Sequence, residues 1–154
     1  MTITIRPYES RDWGELCRIH DAARLDELRG ADLLGAYLDL EATYENEGLF
    51  DGDVWVAELD GRVAGFLAAS ADEITWAYVD PGLYRRGIGR ALVEHVLARA
   101  AGPIALEVLD GNAARAFYEA LGFTLEATTT GKLAGNGSFT ATGHTLVWRP
   151  ARSG

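Results

Sequence analysis

The chain has 154 residues, nearly half of them hydrophobic and about a quarter charged, and a formal net charge of -9. That is the balance of one globular domain able to bury roughly 70% of its unfolded surface, and its acidity argues against nonspecific nucleic-acid binding, which depends on neutralising phosphates. The opening MTITIRPYES lacks the pattern of a signal peptide, no apolar run approaches the ~18 residues of a membrane helix, and a lone cysteine, Cys17, rules out an internal disulfide and fits a reducing cytoplasm.

TITIRP alternates and reads as a first strand ending near Pro7. SRDWGELCRIHDAARL follows as a helix that Ser10 is placed to cap, with Trp13, Leu16, Cys17 and His20 at helical spacing. After Gly30, ADLLGAYLDLEATY reads as a second helix. DVWVAEL and RVAGFLAAS flank Asp60-Gly61, a type I′ hairpin signal. EITWAYV is a strand stopped by Asp80-Pro81, and GIGRALVEHVLARA an amphipathic helix with Ile88, Leu92, Val96 and Ala100 on one face. PIALEVL is a strand, GNAARAFYEAL a helix closed by Gly122, and FTLEATTT and SFTATGHTLVW the last strands. Residues 131–143, with four glycines, read as a mobile hairpin loop or a substrate-contacting flap. The order βααβββαβαββ implies an α/β fold with a mixed, mostly antiparallel sheet, and residues 1–150 form a single domain.

Several chemistries drop out. Lys132 is followed by Leu133, not Ser or Thr, so no Walker phosphate loop exists. Gly87-x-Gly89 has Leu92 where a dinucleotide turn needs its third glycine, and it begins too far beyond Val79. One cysteine and three scattered histidines give no zinc pattern, so no metal is expected, and G-x-S-x-G is absent.

The stretch DPGLYRRGIGRAL sets glycines and arginines at a helix start within an acidic chain. Free amides and a partial positive charge suit an anion there, Gly87 and Gly89 let backbone approach it closely, and Arg85, Arg86 and Arg90 add charge. Arg90 is equally placed to pair with Glu94 at i,i+4.

VDPGLYRRGIGRALVEHVL resembles the acyl-CoA binding motif of the GNAT superfamily of N-acyltransferases, and NAARAFYEALGF is similar to that superfamily's second signature. The resemblance implies a splayed central strand pair, with Ala77, Tyr78 and Val79 offering backbone groups to pantetheine and the thioester. It places the pyrophosphate of acetyl-CoA, the cosubstrate, against Tyr84, Arg85, Arg86, Gly87, Ile88, Gly89 and Arg90. Tyr84 stands where the family carries Gln or Arg. Asn112 is one position off the family spacing and either touches pantetheine or caps the helix.

Tyr118 matches the family's usual proton donor to the departing sulfur, or it is an aromatic packing beside Phe117. Glu107, alone in an apolar strand where a charge needs a role or partner, resembles the base of ribosomal-protein alanine N-acetyltransferases. Glu73 is similar in register to the catalytic glutamate of histone acetyltransferases and shares a face with Thr75, Ala77 and Val79. A base-free reaction remains open beside both. His144 is a third titrating candidate or a structural residue, and the four tryptophans and Cys17 read as core.

The resemblance thus implies a cytoplasmic N-acetyltransferase moving acetyl directly to a primary amine. Residues 1–60 hold 15 acids against 5 arginines, so a cationic small molecule or peptide amine is the expected acceptor. No nucleic acid or membrane partner is expected, and a homodimer is left open. The alternative is a non-catalytic acyl-CoA-binding sensor or partner module.

Overall fold

A computed structural model of the chain describes residues 1–133 and 136–151. Among the described residues, seven strands form two antiparallel sheets. The first has the order β1 (Ile3–Pro7), β2 (Asp53–Leu59), β3 (Arg62–Ala69), β4 (Ile74–Val79). The second places β7 (Asn136–Trp148) between β5 (Ile104–Leu109) and β6 (Thr124–Leu133). Four α-helices accompany them: α1 (Trp13–Gly30), the single turn α2 (Leu40–Thr43), α3 (Ile88–Ala98) and α4 (Ala114–Ala120). None of the described helices is long and apolar enough to cross a membrane.

The sheets meet where β4 and β5 start side by side. A parallel bridge joins Glu73 to Ala105, and the Ala105 amide donates to Asp72 O at 2.8 Å. Beyond it the two strands no longer pair, so a gap opens toward Val79 and Leu109. Helices fill both faces of this split layer. On one, Ile88, Leu92, Val93 and Val96 of α3 and Tyr118 of α4 bury against Leu67, Leu106 and Leu146. On the other, Leu16 and Ile19 of α1 pack with Val56, Phe66 and Trp76. Gly65 permits the first packing: a Cβ there would stand 2.9 Å from Tyr78 O and 3.2 Å from Ile88 Cγ2.

Local chemistry fixes the element ends. The β2–β3 hairpin has positive φ at both Asp60 (50°) and Gly61 (84°), the type I′ geometry its sequence demands. Entry to α1 is held not by Ser10 but by a reciprocal Glu9–Asp12 capping box. Buried Asp12 also accepts two 2.8 Å bonds from Arg6, whose Nε reaches Glu58.

Two expectations are corrected. Residues 31–44 do not form a continuous helix: Asp32 is left-handed (φ 58°), a 3-10 turn spans Leu34–Ala36, and Tyr37 is extended before Asp39 caps the α2 turn. Leu33 and Tyr37 bury against Leu28 and Leu133, whereas Leu40 joins the cluster under α1, so one straight helix cannot serve both. Residues 131–133 and 136–143 are strand and not loop, with Thr130 and Thr142 hydroxyls 2.8 Å apart across the ladder; residues 134 and 135 of that expected loop lie outside the described residues.

Candidate active site

The gap between β4 and β5 is the centre of the site. Asp80 N–H donates to Ala64 O, and the register pairs Phe66 with Tyr78 and Gly65 with Val79. Antiparallel alternation then turns the N–H and C=O groups of Ala77 and Val79 into the gap and those of Tyr78 toward β3. Of the three residues expected to offer backbone to pantetheine, Ala77 and Val79 are thus aimed into the opening. Tyr78 instead sends its side chain to the α1 face.

The turn after β4 leads to the start of α3. Asp80 Oδ1 accepts from Gly82 N–H, Arg85 is left-handed (φ 66°), and Gly87, also left-handed (φ 84°), is the N-cap of α3. The first intrahelical bond runs from Ala91 N–H to Gly87 O, so the amides of Ile88, Gly89 and Arg90 have no intrahelical acceptor. Arg85 and Arg86 are exposed and, among the described residues, make no ion pair. Arg90 pairs with Glu94 at 2.7 Å. A Cβ at Gly89 would meet Phe117 and Val79 at 3.5 Å, an ordinary contact, so packing does not demand glycine there. Tyr84 turns toward α1, its hydroxyl 3.4 Å from Asp26 Oδ2, and burial followed by that carboxylate raises its pKa to about 12.

From the α3–α4 side, Tyr118 is 8% exposed and stacked edge-on with Phe117 and Phe123. Burial, then the negative charge of Glu27, holds its phenol well above the ordinary value, so it remains protonated. Its hydroxyl has no hydrogen-bond partner among the described residues. Asn112 Oδ1 accepts from Ala114 N–H at the start of α4, and its amide donates to Glu27 Oε2.

The two carboxylates expected as bases stand apart. Glu73 is exposed at the closed end of the gap, by the bridge to Ala105. Glu107 is a correction: it is exposed, not buried, because Leu106 and Val108 take the inward positions of β5. Its side chain lies across Gly143, where a Cβ would clash with the carboxylate. His144 is buried between Asp110 (2.8 Å) and Thr128 (2.9 Å), a tie across the second sheet. Cys17 packs under α1, and burial raises its thiol to about 11. Trp76 is buried in that same cluster, while Trp13, Trp55 and Trp148 are half-buried.

Sequence reasoning missed Glu27. Its Oε1 takes the Tyr78 hydroxyl (3.3 Å) and pairs with Arg24, and its Oε2 takes Asn112 Nδ2 (3.2 Å). The carboxylate therefore touches the β4 wall and the loop beyond β5 together. Beside it, Gly30 O and Gly111 are in backbone contact, where a Cβ on Gly111 would stand 2.4 Å from Gly30 O. A signal existed: Leu16, Ile19, His20 and Ala23 are the buried stripe of α1, and position 27 continues it with an acid.

Residues 50–125 match the family model described as the acetyltransferase (GNAT) domain. The uncharacterized N-acetyltransferase YafP of Escherichia coli K12 is 27% identical over 124 residues, 79% of this chain and 81% of that protein. A GCN5-related N-acetyltransferase structure from Rhodopseudomonas palustris superposes with a TM-score of 0.79 at 20% identity, covering 97% of each chain. YncA of Salmonella typhimurium, a putative acetyltransferase solved with its cofactor acetyl-CoA, gives 0.66 at 22% identity over 99% of this chain and 96% of that one. At these identities the structural likeness concerns the fold. The match over residues 50–125 defines an acetyltransferase, and within it the opened strand pair lies directly before the glycine-capped start of α3. The chain belongs to the GNAT superfamily of N-acetyltransferases.

Proposed function

We propose that the protein transfers acetyl from acetyl-CoA directly to a primary amine of a small cationic molecule or peptide, in a ternary complex within the β4–β5 gap. The observation that carries this reading is the opening of the gap directly before the uncapped amides of α3.

The donor supplies an activated acetyl thioester. Its pyrophosphate suits the amides of Ile88, Gly89 and Arg90, where helix-end partial charge and the exposed Arg85 and Arg86 favour anions. The extended pantetheine suits the Ala77 and Val79 backbone as a third strand would. An N–H there, aimed at the thioester carbonyl, would stabilise developing negative charge by about 3–4 kcal/mol. Tyr118, kept protonated by burial, is the group that donates toward the sulfur as it leaves. The reaction needs no metal. The acceptor enters from the α1 side, where acids of residues 1–60 predominate.

Calorimetry with CoA and a thiol-release assay with acetyl-CoA and a panel of amines test the proposal. CoA heat followed by amine-dependent thiol release is expected. Absence of CoA heat overturns the donor site; CoA heat without release on any amine favours a non-catalytic acyl-CoA module.

A further inference from the structure

We propose that Glu27 is the acceptor anchor: the carboxylate that receives the ammonium of the incoming amine at the open end of the β4–β5 gap. The inference rests on reading that gap as the site of N-acetyl transfer.

Position is the first ground. Glu27 lies on the α1 face, opposite α3 and α4, and hydrogen-bonds both walls of the opening, Tyr78 from β4 and Asn112 from beyond β5. Glu73 is at the closed end of the gap, and Glu107 is spread over Gly143. Glu27 is thus the carboxylate that touches both walls.

Its bonding is the second ground. A carboxylate offers about four acceptor sites. Oε1 is shared by Arg24 and the Tyr78 hydroxyl, while among the described residues Oε2 takes Asn112 alone. The Tyr78 and Asn112 bonds are neutral-donor contacts of 3.3 and 3.2 Å, toward the long end of the normal range. An ammonium is a stronger donor than either. The side chain is 22% exposed, so a ligand reaches it without unfolding α1. Arg24 pairs with Oε1 and keeps the carboxylate oriented, leaving Oε2 as the side turned to Asn112.

Proximity to the reacting centre is the third. The Glu27 charge is felt by the Tyr118 phenol, which approaches from the opposite face. An ammonium held on Oε2 has no free lone pair, so it gives a proton to water before its nitrogen attacks the thioester carbon.

The test compares wild type with Glu27→Gln, which loses the charge and keeps one acceptor oxygen, enough for either the Tyr78 or the Asn112 bond. The probes are spermidine and lysine amide, both cationic, and 4-methoxyaniline, uncharged at neutral pH. We expect KM for the cationic amines to rise about 10- to 100-fold, as loss of a charge-assisted hydrogen bond implies. KM for 4-methoxyaniline and the calorimetric Kd for CoA stay within about twofold. Where turnover is too slow, titrating the same amines into the CoA complex gives the same comparison. Should Glu27→Gln fail to fold, Glu27→Asp withdraws the charge by one methylene and gives a smaller rise of the same selectivity.

Equal losses on charged and uncharged amines would mark a merely structural residue and overturn the inference. So would an unchanged KM for the cations, or wild type in complex with CoA that binds none of them. Absence of CoA binding is a different failure, striking the proposed function itself.

Discussion

Replacing Tyr118 by Phe separates stability from chemistry. The Tyr118 ring stays wedged between Phe117 and Phe123 at centroid distances of 5.0 and 5.6 Å, contacts that Phe reproduces. The hydroxyl has no partner among the described residues, and a buried unpaired polar group costs about 1–3 kcal/mol. The oxygen is not among the fully enclosed unpaired atoms, so the low end applies. Removing it should change stability by about 0 to +1 kcal/mol, a Tm rise of about 0–4 °C in a chain of this length. Catalysis should respond oppositely. A hydrogen bond to sulfur as it gains negative charge is worth about 1.5–3 kcal/mol, or about 10- to 150-fold in kcat. Thermal unfolding and single-turnover acetylation on one preparation read both quantities. A Tm drop beyond about 2 °C would mean that the hydroxyl holds the fold together, and unchanged kcat would remove it from the reaction.

Three further outcomes are expected. Gly65→Ala should lose about 1–3 kcal/mol in urea unfolding and weaken CoA binding, because its Cβ would stand 2.9 Å from Tyr78 O of β4 and 3.2 Å from Ile88 Cγ2 of α3; Gly102→Ala, with nothing within 4 Å, should do neither. Asp12→Ala should cost about 3 kcal/mol, near the low end for a buried pair because Arg6 keeps 19% of its side chain exposed. Bonding to Arg6 lowers the Asp12 pKa, so this stabilisation is present above about pH 4 and fades as pH falls through the lowered value; the acid limb of urea midpoints against pH should be flatter in the variant. Burial lowers the His20 pKa, so below about pH 6.5 the unfolded chain binds the extra proton and stability declines with acidification; His20→Gln should shrink that slope between about pH 5 and 6.5.

What the sequence disclosed was local. The Asp60-Gly61 turn, the Gly87 start of α3 and the strands β2 to β4 follow from neighbours a few residues apart, and all are present. The segment 31–44 misled because Leu33, Tyr37 and Leu40 have helical spacing yet bury in different clusters. The glycines at 131, 137 and 143 suggested a loop, but they lie in strands, and the Glu107 side chain lies over Gly143. Glu107 itself drew attention as an acid among apolar residues, although period-two alternation already turned it outward. Glu27 escaped because its partners, Tyr78 and Asn112, lie 51 and 85 residues away, and only the folded chain brings them together.

The single bridge between Glu73 and Ala105 makes the divided layer behave as tongs do, with a pivot at one end and no crossbar within the jaws. On the α1 side, the Glu27–Asn112 bond and the Gly30–Gly111 backbone contact tie that helix to the loop beyond β5. The α1 half of this tie lies in the first 30 residues, ahead of the stretch matched to the family. Substitutions there bear on acceptor entry through Glu27 and Asn112, on the α1 side of the opening.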